Sequence, residues 1–343
     1  MLYKQPFRVI INPVEKASHL RQIGGTTDMN IKDLENIITV IEEGNITSAA
    51  KRLFMSQPSL SQCIQRVEAE LSTTLFIRTK SGIELTNAGR AFQETAEKVC
   101  KEYRDLENRL ADLSTLHTGY LVVGIPTLLN GYLLPEGYMY FRQKYPNVRI
   151  DLYEDDSNRL ESMLFRGKVD LAIMSLPVDP SLISVPMISC ERVLCAPGWY
   201  EPGDALLDPR TGVLDIRKLD MEPFIFPRPS QKLHMVTEKI LKKANISVQT
   251  ILNTRSSKGA MLYCAHGFGF TIQPEISVRF HRPLLNNRVK FFRIPPEFNE
   301  QWVVVLSRSR NGYFSEAAQT FIQSMQEFYS PEPPAGWSGA QAP

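Results

Sequence analysis

Three amphipathic segments between residues 30 and 71 carry the clearest pattern of hydrophobic and polar positions in the chain. Apolar residues at every third or fourth position predict a helix over residues 31–43, with Asn30 as its N-terminal cap. Asn45 and Ser56 are good caps for two further short helices. Pro58 suits the first turn of the last one, because N–H groups there have no intrahelical partners. Three helices of this size are typical of a helix-turn-helix core.

The third of these helices has two chemically different faces. Its apolar positions, which predict a buried stripe, are Leu60, Ile64, Val67 and Leu71. The opposite side carries little apolar bulk and consists of Pro58, Gln62, Gln65, Arg66 and Ala69. Gln and Arg side chains can form paired hydrogen bonds with base edges, so this face predicts a helix that reads the major groove of DNA.

Two short strand-like runs follow the helices and predict a wing. They cover residues 75–78 and 83–86 and are joined by a turn through Gly82. Arg78 and Lys80 place positive charges near this turn, where a phosphate backbone would pass.

The charge of this region gives only weak support for nucleic acid binding, so the prediction of DNA binding depends on the pattern of helices and wing. The formal net charge is +2, and residues 29–90 hold seven Lys or Arg and seven Asp or Glu. The favourable cations lie locally on the second and third helices and the wing. The predicted DNA-contacting residues are Ser48, Lys51, Arg52, Ser56, Gln57, Pro58, Ser59, Ser61, Gln62, Gln65, Arg66, Arg78 and Lys80.

The order and spacing of these elements resemble the LysR-type transcriptional regulators. The matching positions are Ala49-Ala50-x-x-Leu53, Ser56-Gln57-Pro58-Ser59-Leu60-Ser61, Ile64-x-x-x-Glu68-x-x-Leu71, Leu75-Phe76-x-Arg78 and Leu85-Thr86-x-Ala88-Gly89. Two residues depart from the family pattern, which usually has Arg at the position of Gln62 and Gly at that of Ser72. The first departure bears on base preference or affinity, and the second predicts a different turn after the reading helix.

A heptad pattern predicts a long helix after the wing. Its apolar residues are spaced alternately by four and three: Phe92, Ala96, Val99, Tyr103, Leu106, Leu110 and Leu113. Such a seam favours pairing with a partner helix, and packing on its own domain is the alternative. The resemblance implies a linker helix through which subunits pair, giving a homodimer or homotetramer.

Strands and helices alternate from Gly119 onward and predict an α/β architecture with parallel strands. Two such units, with the chain returning at the end, suggest a hinged clamshell. Residues 165–173 and 264–270 resemble the effector domain of the LysR family, which is similar in fold to periplasmic solute-binding proteins. The fold class is therefore α/β overall, with a winged helix-turn-helix, a coiled-coil linker helix and a two-lobed effector domain.

Loops at the carboxyl ends of the predicted strands form the candidate effector site, because ligands of open α/β sheets bind there. The candidates are Thr127, Leu128, Ser175, Arg228, Ser230, Arg255 and Ser256. Their hydroxyls and guanidinium groups would suit a small organic anion. The alternative is that the hydroxyls cap helices and the arginines are solvated.

The predicted domain limits follow from these segments. Residues 1–28 form an extension, with the true start at either Met1 or Met29. Residues 29–86 form the DNA-binding domain, 87–117 the linker helix and 119–329 the effector domain. Lobe I covers about 119–191 and 300–329, and lobe II about 192–299. Residues 331–343 are rich in Pro, Ala and Gly and predict a disordered tail.

Composition narrows the class of protein. Five cysteines without metal-type spacing indicate a reduced cytoplasmic setting, with packed thiols preferred over a redox switch. The sequence has no membrane-length apolar run, catalytic triad, phosphate-binding glycine loop or metal cluster, and its five histidines are scattered. We therefore expect a protein that is not an enzyme, has no cofactor and has no membrane partner.

The sequence therefore predicts a sequence-specific regulator of the LysR type. Its expected partners are double-stranded DNA and a small-molecule effector, with RNA polymerase as a further candidate. The alternatives are a solute-binding protein or a constitutive DNA-binding protein without an effector response. The sequence leaves open the effector, the target genes and the choice between activation and repression.

Overall fold

The computed structural model describes residues 29–79, 82–113 and 118–330. These residues form two compact units, with the boundary between Cys100 and Lys101. That boundary falls inside one long helix, which the sequence analysis treats as a separate linker, so the predicted domain limits remain a prediction. The predicted N-terminal extension and C-terminal tail lie outside the described residues.

The first unit begins with three helices whose caps were predicted from the sequence. They are α1 (Ile31–Glu43), α2 (Ile46–Arg52) and α3 (Gln57–Glu70). Asn30, Asn45 and Ser56 each accept backbone N–H groups from the first turn of the helix that follows them. The three predicted caps are therefore confirmed. Val40, Ala49, Leu60 and Ile64 form the small core among the helices.

The end of α3 differs from the predicted pattern. Leu71 was expected in the buried stripe, but it is the C-terminal cap of α3 and is 39% exposed. The N–H of Ser72 donates to the carbonyl of Ala69, and that of Thr73 to the carbonyl of Glu68. This is a Schellman motif, in which glycine is usual at the position of Ser72. Ser72 has a φ of 50°, so a serine adopts the left-handed conformation that glycine usually supplies, and the prediction of a different turn at this position is wrong.

The predicted wing is present, and each strand is shifted by one residue. Strands β1 (Phe76–Thr79) and β2 (Gly82–Leu85) pair antiparallel. Gly82 has a φ of 139°, and a Cβ at this position would lie 2.5 Å from the carbonyl oxygen of Gly44. Only glycine therefore allows the wing to approach the end of α1 this closely. Lys80 and Ser81 lie outside the described residues.

Lobe I belongs to the second unit and contains a five-stranded mixed sheet. Its strands are β3 (Gly119–Ile125), β4 (Val148–Glu154), β5 (Leu171–Ser175), β6 (Ile183–Cys190) and β14 (Trp302–Arg308), in the order β4-β3-β5-β14-β6. Strand β3 pairs parallel with β4 and β5, whereas β14 is antiparallel to both of its neighbours. The helices of this lobe are α5 (Thr127–Asn130), α6 (Leu134–Lys144), α7 (Ser157–Phe165) and α11 (Glu316–Phe328). Leu121, Val123, Phe141 and Phe321 are fully buried in its core.

Lobe II contains a second five-stranded sheet and a separate parallel pair of strands. The sheet has the order β12-β7-β13-β9-β8. Its strands are β7 (Arg192–Pro197), β8 (Leu206–Asp208), β9 (Val213–Leu214), β12 (Thr271–Pro274) and β13 (Val289–Arg293). The parallel pair is β10 (Pro223–Pro227) and β11 (Gln249–Thr254), and the helices are α8 (Lys232–Lys243), α9 (Ser257–Ala265) and α10 (Glu275–His281). Leu194, Phe224, Ile240 and Phe270 are buried in its core.

The chain passes twice between the two lobes. It leaves lobe I between β6 and β7 and returns between β13 and β14. Polar contacts brace the crossings: Arg293 pairs with Glu191 at 2.8 Å, and the buried Arg192 donates to Asn299 at 3.2 Å. The predicted two-lobed α/β architecture is confirmed. No helix within residues 29–79, 82–113 and 118–330 is long and apolar enough to cross a membrane.

Candidate DNA interface and effector cleft

Helix α3 presents a polar face to solvent. Leu60, Ile64 and Val67 are buried beneath it. The exposed residues of the opposite face are Pro58, Gln62, Gln65, Arg66 and Ala69. The fold therefore leaves the two glutamines accessible along one side of the helix.

Arg66 is held by contacts inside the protein. Its guanidinium pairs with the buried carboxylate of Asp33 on α1 and with Glu70 at 3.2 Å. Burial alone would raise the pKa of Asp33, but the backbone N–H of Asn30 and the Arg66 guanidinium hold it below its ordinary value. The thiol of Cys63 also donates to Asp33, at 3.3 Å. Arg66 would have to leave this carboxylate in order to reach a base edge.

The other predicted DNA contacts surround the start of α3. Ser48, Lys51, Gln57 and Ser59 are exposed, whereas Ser61 is half-buried. Several of these side chains already have local partners. The Ser56 hydroxyl accepts the N–H of Ser59 at 3.2 Å, and the amide of Gln57 donates to Ser61 at 3.0 Å.

Among the predicted phosphate-binding cations, Arg52 has acidic neighbours. Its guanidinium lies 2.8 Å from Glu42 and 2.9 Å from Glu43. Arg78 is exposed on β1. Lys80 lies outside the described residues.

A groove of about 200 Å³ separates the wing from the starts of α2 and α3. Thr47, Gln57, Arg78 and Gly82 contribute to its walls. It combines a guanidinium, a hydroxyl and the N-terminal end of α2, which are groups that bind phosphate oxygens.

The seam residues of helix α4 (Asn87–Asp112) fall into two groups. Phe92 is half-buried and Ala96 is buried, both packed with Leu34 in the first unit. The remaining seam residues are Val99, Tyr103, Leu106, Leu110 and Leu113, and their exposure rises from 41% at Val99 to 84% at Leu113. An apolar groove of about 770 Å³, lined by Leu34, Phe92 and Val99, adjoins the first group. The helix thus has an apolar stripe that no other described part of the chain covers.

A cleft between the lobes collects most of the predicted effector residues. Thr127, Leu128, Ser175, Ser230 and Arg255 line it. Its free volume is about 30 Å³, which holds no more than a few water molecules. The protein's own side chains therefore nearly fill the cleft between the lobes.

Two predicted effector residues do not line this cleft. The side chain of Arg228 is exposed, and its backbone N–H donates to the side chain of Gln231. The Ser256 hydroxyl accepts the N–H of Gly259 at 3.0 Å and caps α9. This corresponds to the alternative prediction that the hydroxyls cap helices.

Lys232, which was not predicted as a site residue, also lines the cleft. This first residue of α8 is only 8% exposed, and its ammonium donates to Glu161 of lobe I at 3.0 Å. Burial lowers the pKa of Lys232 from its ordinary value, and the hydrogen bond to Glu161 opposes that shift. One signal was available in the sequence: a lysine in the first turn of a helix is unfavourable beside the helix dipole, so it indicates a specific partner.

Two further groups complete the cleft. Arg255 of lobe II lies 3.5 Å from Asp156 of lobe I, which makes a second ion pair across the opening. Trp302 is 2% exposed, and its indole Nε1–H has no hydrogen-bond partner among the described residues. The cleft therefore holds cations and a hydrogen-bond donor that suit an acceptor-rich ligand.

The cysteines are packed thiols rather than exposed nucleophiles. Cys63, Cys195 and Cys264 are buried, and burial raises the pKa of each of them, that of Cys264 to about 12. A raised pKa disfavours the thiolate, which is the reactive form. This agrees with the preferred interpretation from the sequence.

Comparisons with known families match most of the chain. A model described as the LysR substrate binding domain matches residues 114–330, and one described as a bacterial regulatory helix-turn-helix protein of the lysR family matches residues 31–90. The transcriptional regulator YcgK of Bacillus subtilis (strain 168) is 30% identical over 312 residues, which cover 87% of this chain and 94% of that protein. BsdA of the same organism is 25% identical over 300 residues, covering 86% and 99%.

Solved structures show the same fold. Full-length OxyR from Pseudomonas aeruginosa has a TM-score of 0.62 at 20% identity, covering 88% of this chain and 96% of that one. Full-length CbnR, solved in complex with its target DNA, has a TM-score of 0.60 at 21% identity, covering 87% and 99%. At these identities the likeness concerns the fold alone.

Proposed function

The chain belongs to the LysR family of DNA-binding transcriptional regulators, and from this premise we propose how its residues divide DNA reading from effector sensing. As a member of that family it binds DNA through its helix-turn-helix and a small-molecule effector through its α/β domain. The assignments to individual residues below are ours. The observation that carries them is the exposed polar face of α3, opposite the buried side chains of Leu60, Ile64 and Val67.

We assign base reading to Gln62 and Gln65, because both are exposed on α3 and their amides can pair with an adenine edge. Arg66 has a positioning role, since its ion pair with Asp33 ties α3 to α1. Arg78 and the groove beside the wing bind the phosphate backbone. Lys51 is exposed near the end of α2 and is a further candidate for a phosphate contact, whereas Arg52 is paired with Glu42 and Glu43.

We assign subunit pairing to the uncovered stripe of α4. A single chain leaves Tyr103, Leu106 and Leu110 at least 44% exposed, although each is a seam residue of a heptad pattern. A second copy of the helix would cover them and would place two reading helices on one DNA duplex. The active form is therefore a homodimer or a homotetramer.

We assign the effector site to the interlobe cleft and its ligand to the organic anions. Arg255, Lys232 and the hydroxyls of Thr127 and Ser230 supply cations and donors there. Ligand binding would shift the population between lobe arrangements and so change the DNA-bound state. The protein then acts in the cytoplasm through binding alone, with RNA polymerase as a further partner.

A gel-shift titration against DNA from just upstream of its own gene tests this assignment, with excess non-specific competitor present. We expect a discrete, competitor-resistant complex. Gln65→Ala should weaken it by about 1–3 kcal/mol if the amide pairs with a base. Gln249→Ala, which changes an exposed glutamine of lobe II, is the matched control and should have no effect. Equal loss of binding to any competitor would contradict sequence-specific reading.

A further inference from the structure

The ammonium of Lys232 is saturated with hydrogen-bond acceptors. A lysine ammonium has three N–H donors. Those of Lys232 meet the carboxylate of Glu161 at 3.0 Å, the backbone carbonyl of Ser175 at 3.1 Å and the carbonyl of Pro177. All three acceptors belong to lobe I, whereas Lys232 belongs to lobe II. One side chain therefore spans the cleft and holds the lobes together at this point.

The three acceptors differ in how readily they can be replaced. The carbonyls of Ser175 and Pro177 are fixed in the backbone. Glu161 is a flexible side chain on α7 with 19% of its surface exposed, so it can turn towards solvent. It is also the acceptor that balances the lysine charge. A neutral ligand in its place would leave a buried ammonium without a counter-ion, which is costly, whereas a carboxylate would preserve the balance.

Other groups in the cleft favour the same kind of ligand. The Nε1–H of Trp302 is buried without an acceptor among the described residues, and Trp302 lines the cleft together with Lys232. A carboxylate offers two oxygens with several acceptor sites, enough for both the ammonium and the indole. Leu128, Leu129 and Leu233 line the same cleft and would surround an apolar ligand body.

We propose that the ion pair between Lys232 on α8 and Glu161 on α7 is a charge latch, and that a small organic monocarboxylate opens it by taking the place of Glu161. This inference rests on the proposed effector function and names its ligand class and its switch. In the latched state only about 30 Å³ is free, so the lobes must part before the ligand enters. Exchange of one carboxylate for another at Lys232 then releases Glu161 and the helix α7 that carries it.

Release of α7 would reach the linker helix within the same unit. Gly167 follows the C-terminal end of α7, and the side chain of Lys101 on α4 packs directly against it. Arg104 on α4 donates to the carbonyl of Gly167 at 2.7 Å. A shift of α7 therefore acts on two residues of α4, the helix that connects to the DNA-binding domain.

Calorimetric titration of the full chain with acetate and butyrate tests the latch. The uncharged controls are acetamide and butyramide, all at constant ionic strength. Glu161→Gln keeps a hydrogen-bond acceptor for Lys232 but removes the competing charge. We expect this variant to bind the two carboxylates at least about fivefold more tightly than the wild type, with no gain for the amides.

A double variant separates loss of binding from loss of folding. Lys232→Met alone leaves the Glu161 carboxylate without its cation and can destabilise the cleft. Lys232→Met combined with Glu161→Gln leaves no unpaired charge, so its thermal transition should fall less than that of Lys232→Met while carboxylate binding is lost. Unchanged or absent carboxylate binding in Glu161→Gln, or binding retained in the double variant, would overturn the latch. The gel shift measures DNA binding and the calorimetry measures carboxylate binding. A failure of DNA recognition is therefore distinguishable from a failure of the latch.

Discussion

The side chain of Lys101 on α4 packs in a narrow slot beside Gly167 and Gly312, and this packing predicts how much a methyl group at Gly167 would destabilise the fold. Gly167 has a φ of 68°, and a Cβ at this position would lie 1.9 Å from Cδ and 2.6 Å from Cε of Lys101. Gly312 also borders the slot, because a Cβ there would lie 2.7 Å from the ammonium nitrogen. The ammonium pairs with Asp105, one turn further along α4. Gly167→Ala must therefore strain the backbone and expel the lysine.

The expected cost has two separable parts. An L-residue in the left-handed region costs roughly 1–2 kcal/mol. Expulsion of Lys101 deprives Asp105, whose side chain is only 9% exposed, of its cation, and adds about 1–2 kcal/mol. Gly167→Ala should therefore lower the free energy of unfolding by about 2–4 kcal/mol. In a Lys101→Ala background only the backbone part remains, so the coupling between the two positions should be about 1–2 kcal/mol.

Urea unfolding followed by tryptophan fluorescence measures these values in the full chain. Trp199 and Trp302 lie in the second unit, so their fluorescence reports on its unfolding. The proteins to compare are the wild type, Gly167→Ala, Lys101→Ala and the double variant that carries both substitutions. Gly131→Ala is the matched control, because Gly131 has a φ of −63° and a Cβ there meets no atom within 4 Å. It should leave the stability unchanged or slightly raised.

Additive losses of stability in the double variant would contradict this prediction, since they would mean that the side chain of Lys101 does not pack against Gly167. A Gly131→Ala cost as large as that of Gly167→Ala would do the same, because it would show that any added methyl group destabilises this unit.

Three further predictions concern the helix end, the dimer seam and an ion-pair cluster. Ser72→Gly should stabilise the end of α3 by about 0.5–1 kcal/mol because it relieves a φ of 50°, seen as slower amide hydrogen exchange in α3, whereas Ser72→Ala should not. Leu106→Lys should convert the oligomer to monomers in sedimentation velocity, and Glu107→Lys, one residue off the seam, should not. Two lysines of α8 lower the pKa of Glu300 from 4.5 to about 2. The ionised carboxylate therefore stabilises the fold above pH 4.5. Thermal unfolding should show that Glu300→Gln is less stable than the wild type by less than about 1 kcal/mol at neutral pH. This difference should vanish as the pH falls towards 2.

Local chemistry made the DNA-binding unit predictable from the sequence. Asn30, Asn45 and Ser56 act as caps through hydrogen bonds to the residues that follow them, so their role depends on nearby sequence alone. The buried stripe of α3 follows from helical periodicity as far as Val67. The prediction failed at Leu71 because a left-handed residue ends the helix, and no periodicity signals that a serine will adopt this conformation.

Tertiary context explains the strands that the pattern did not predict. The sequence pattern did not indicate β6, which contains Pro186 and pairs at the edge of the sheet. The pairing register shifts between Val304 and Val305, and Val305 is the residue opposite Pro186. An edge position with a bulge tolerates proline, whereas a sequence window alone treats proline as a break. Strand β13 was also missed, since its assignment depends on pairing with β7.

In the cleft, too, the features set by nearby sequence were predictable, whereas contacts between residues far apart in the chain were not. Loops at strand ends correctly indicated that Thr127, Ser175, Ser230 and Arg255 would converge on one cleft. The occupant of that cleft was not predictable, because Lys232 and Glu161 are 71 positions apart in the chain. The pairing of Arg66 with Asp33 is equally non-local, and it is the basis for our proposal that Arg66 positions α3, whereas the sequence predicts a DNA contact for this residue.

Selection of bound sequences from a random DNA library by the purified full chain tests directly whether α3 reads the DNA sequence. We expect enrichment of one motif built from two half-sites about one or more helical turns apart, because two paired reading helices would contact one DNA duplex. Gln62→Ala and Gln65→Ala should each relax the base preference at defined positions within each half-site. Recovery of DNA without an enriched motif, or of a motif that neither variant alters, would contradict the assignment of α3 as the reading helix.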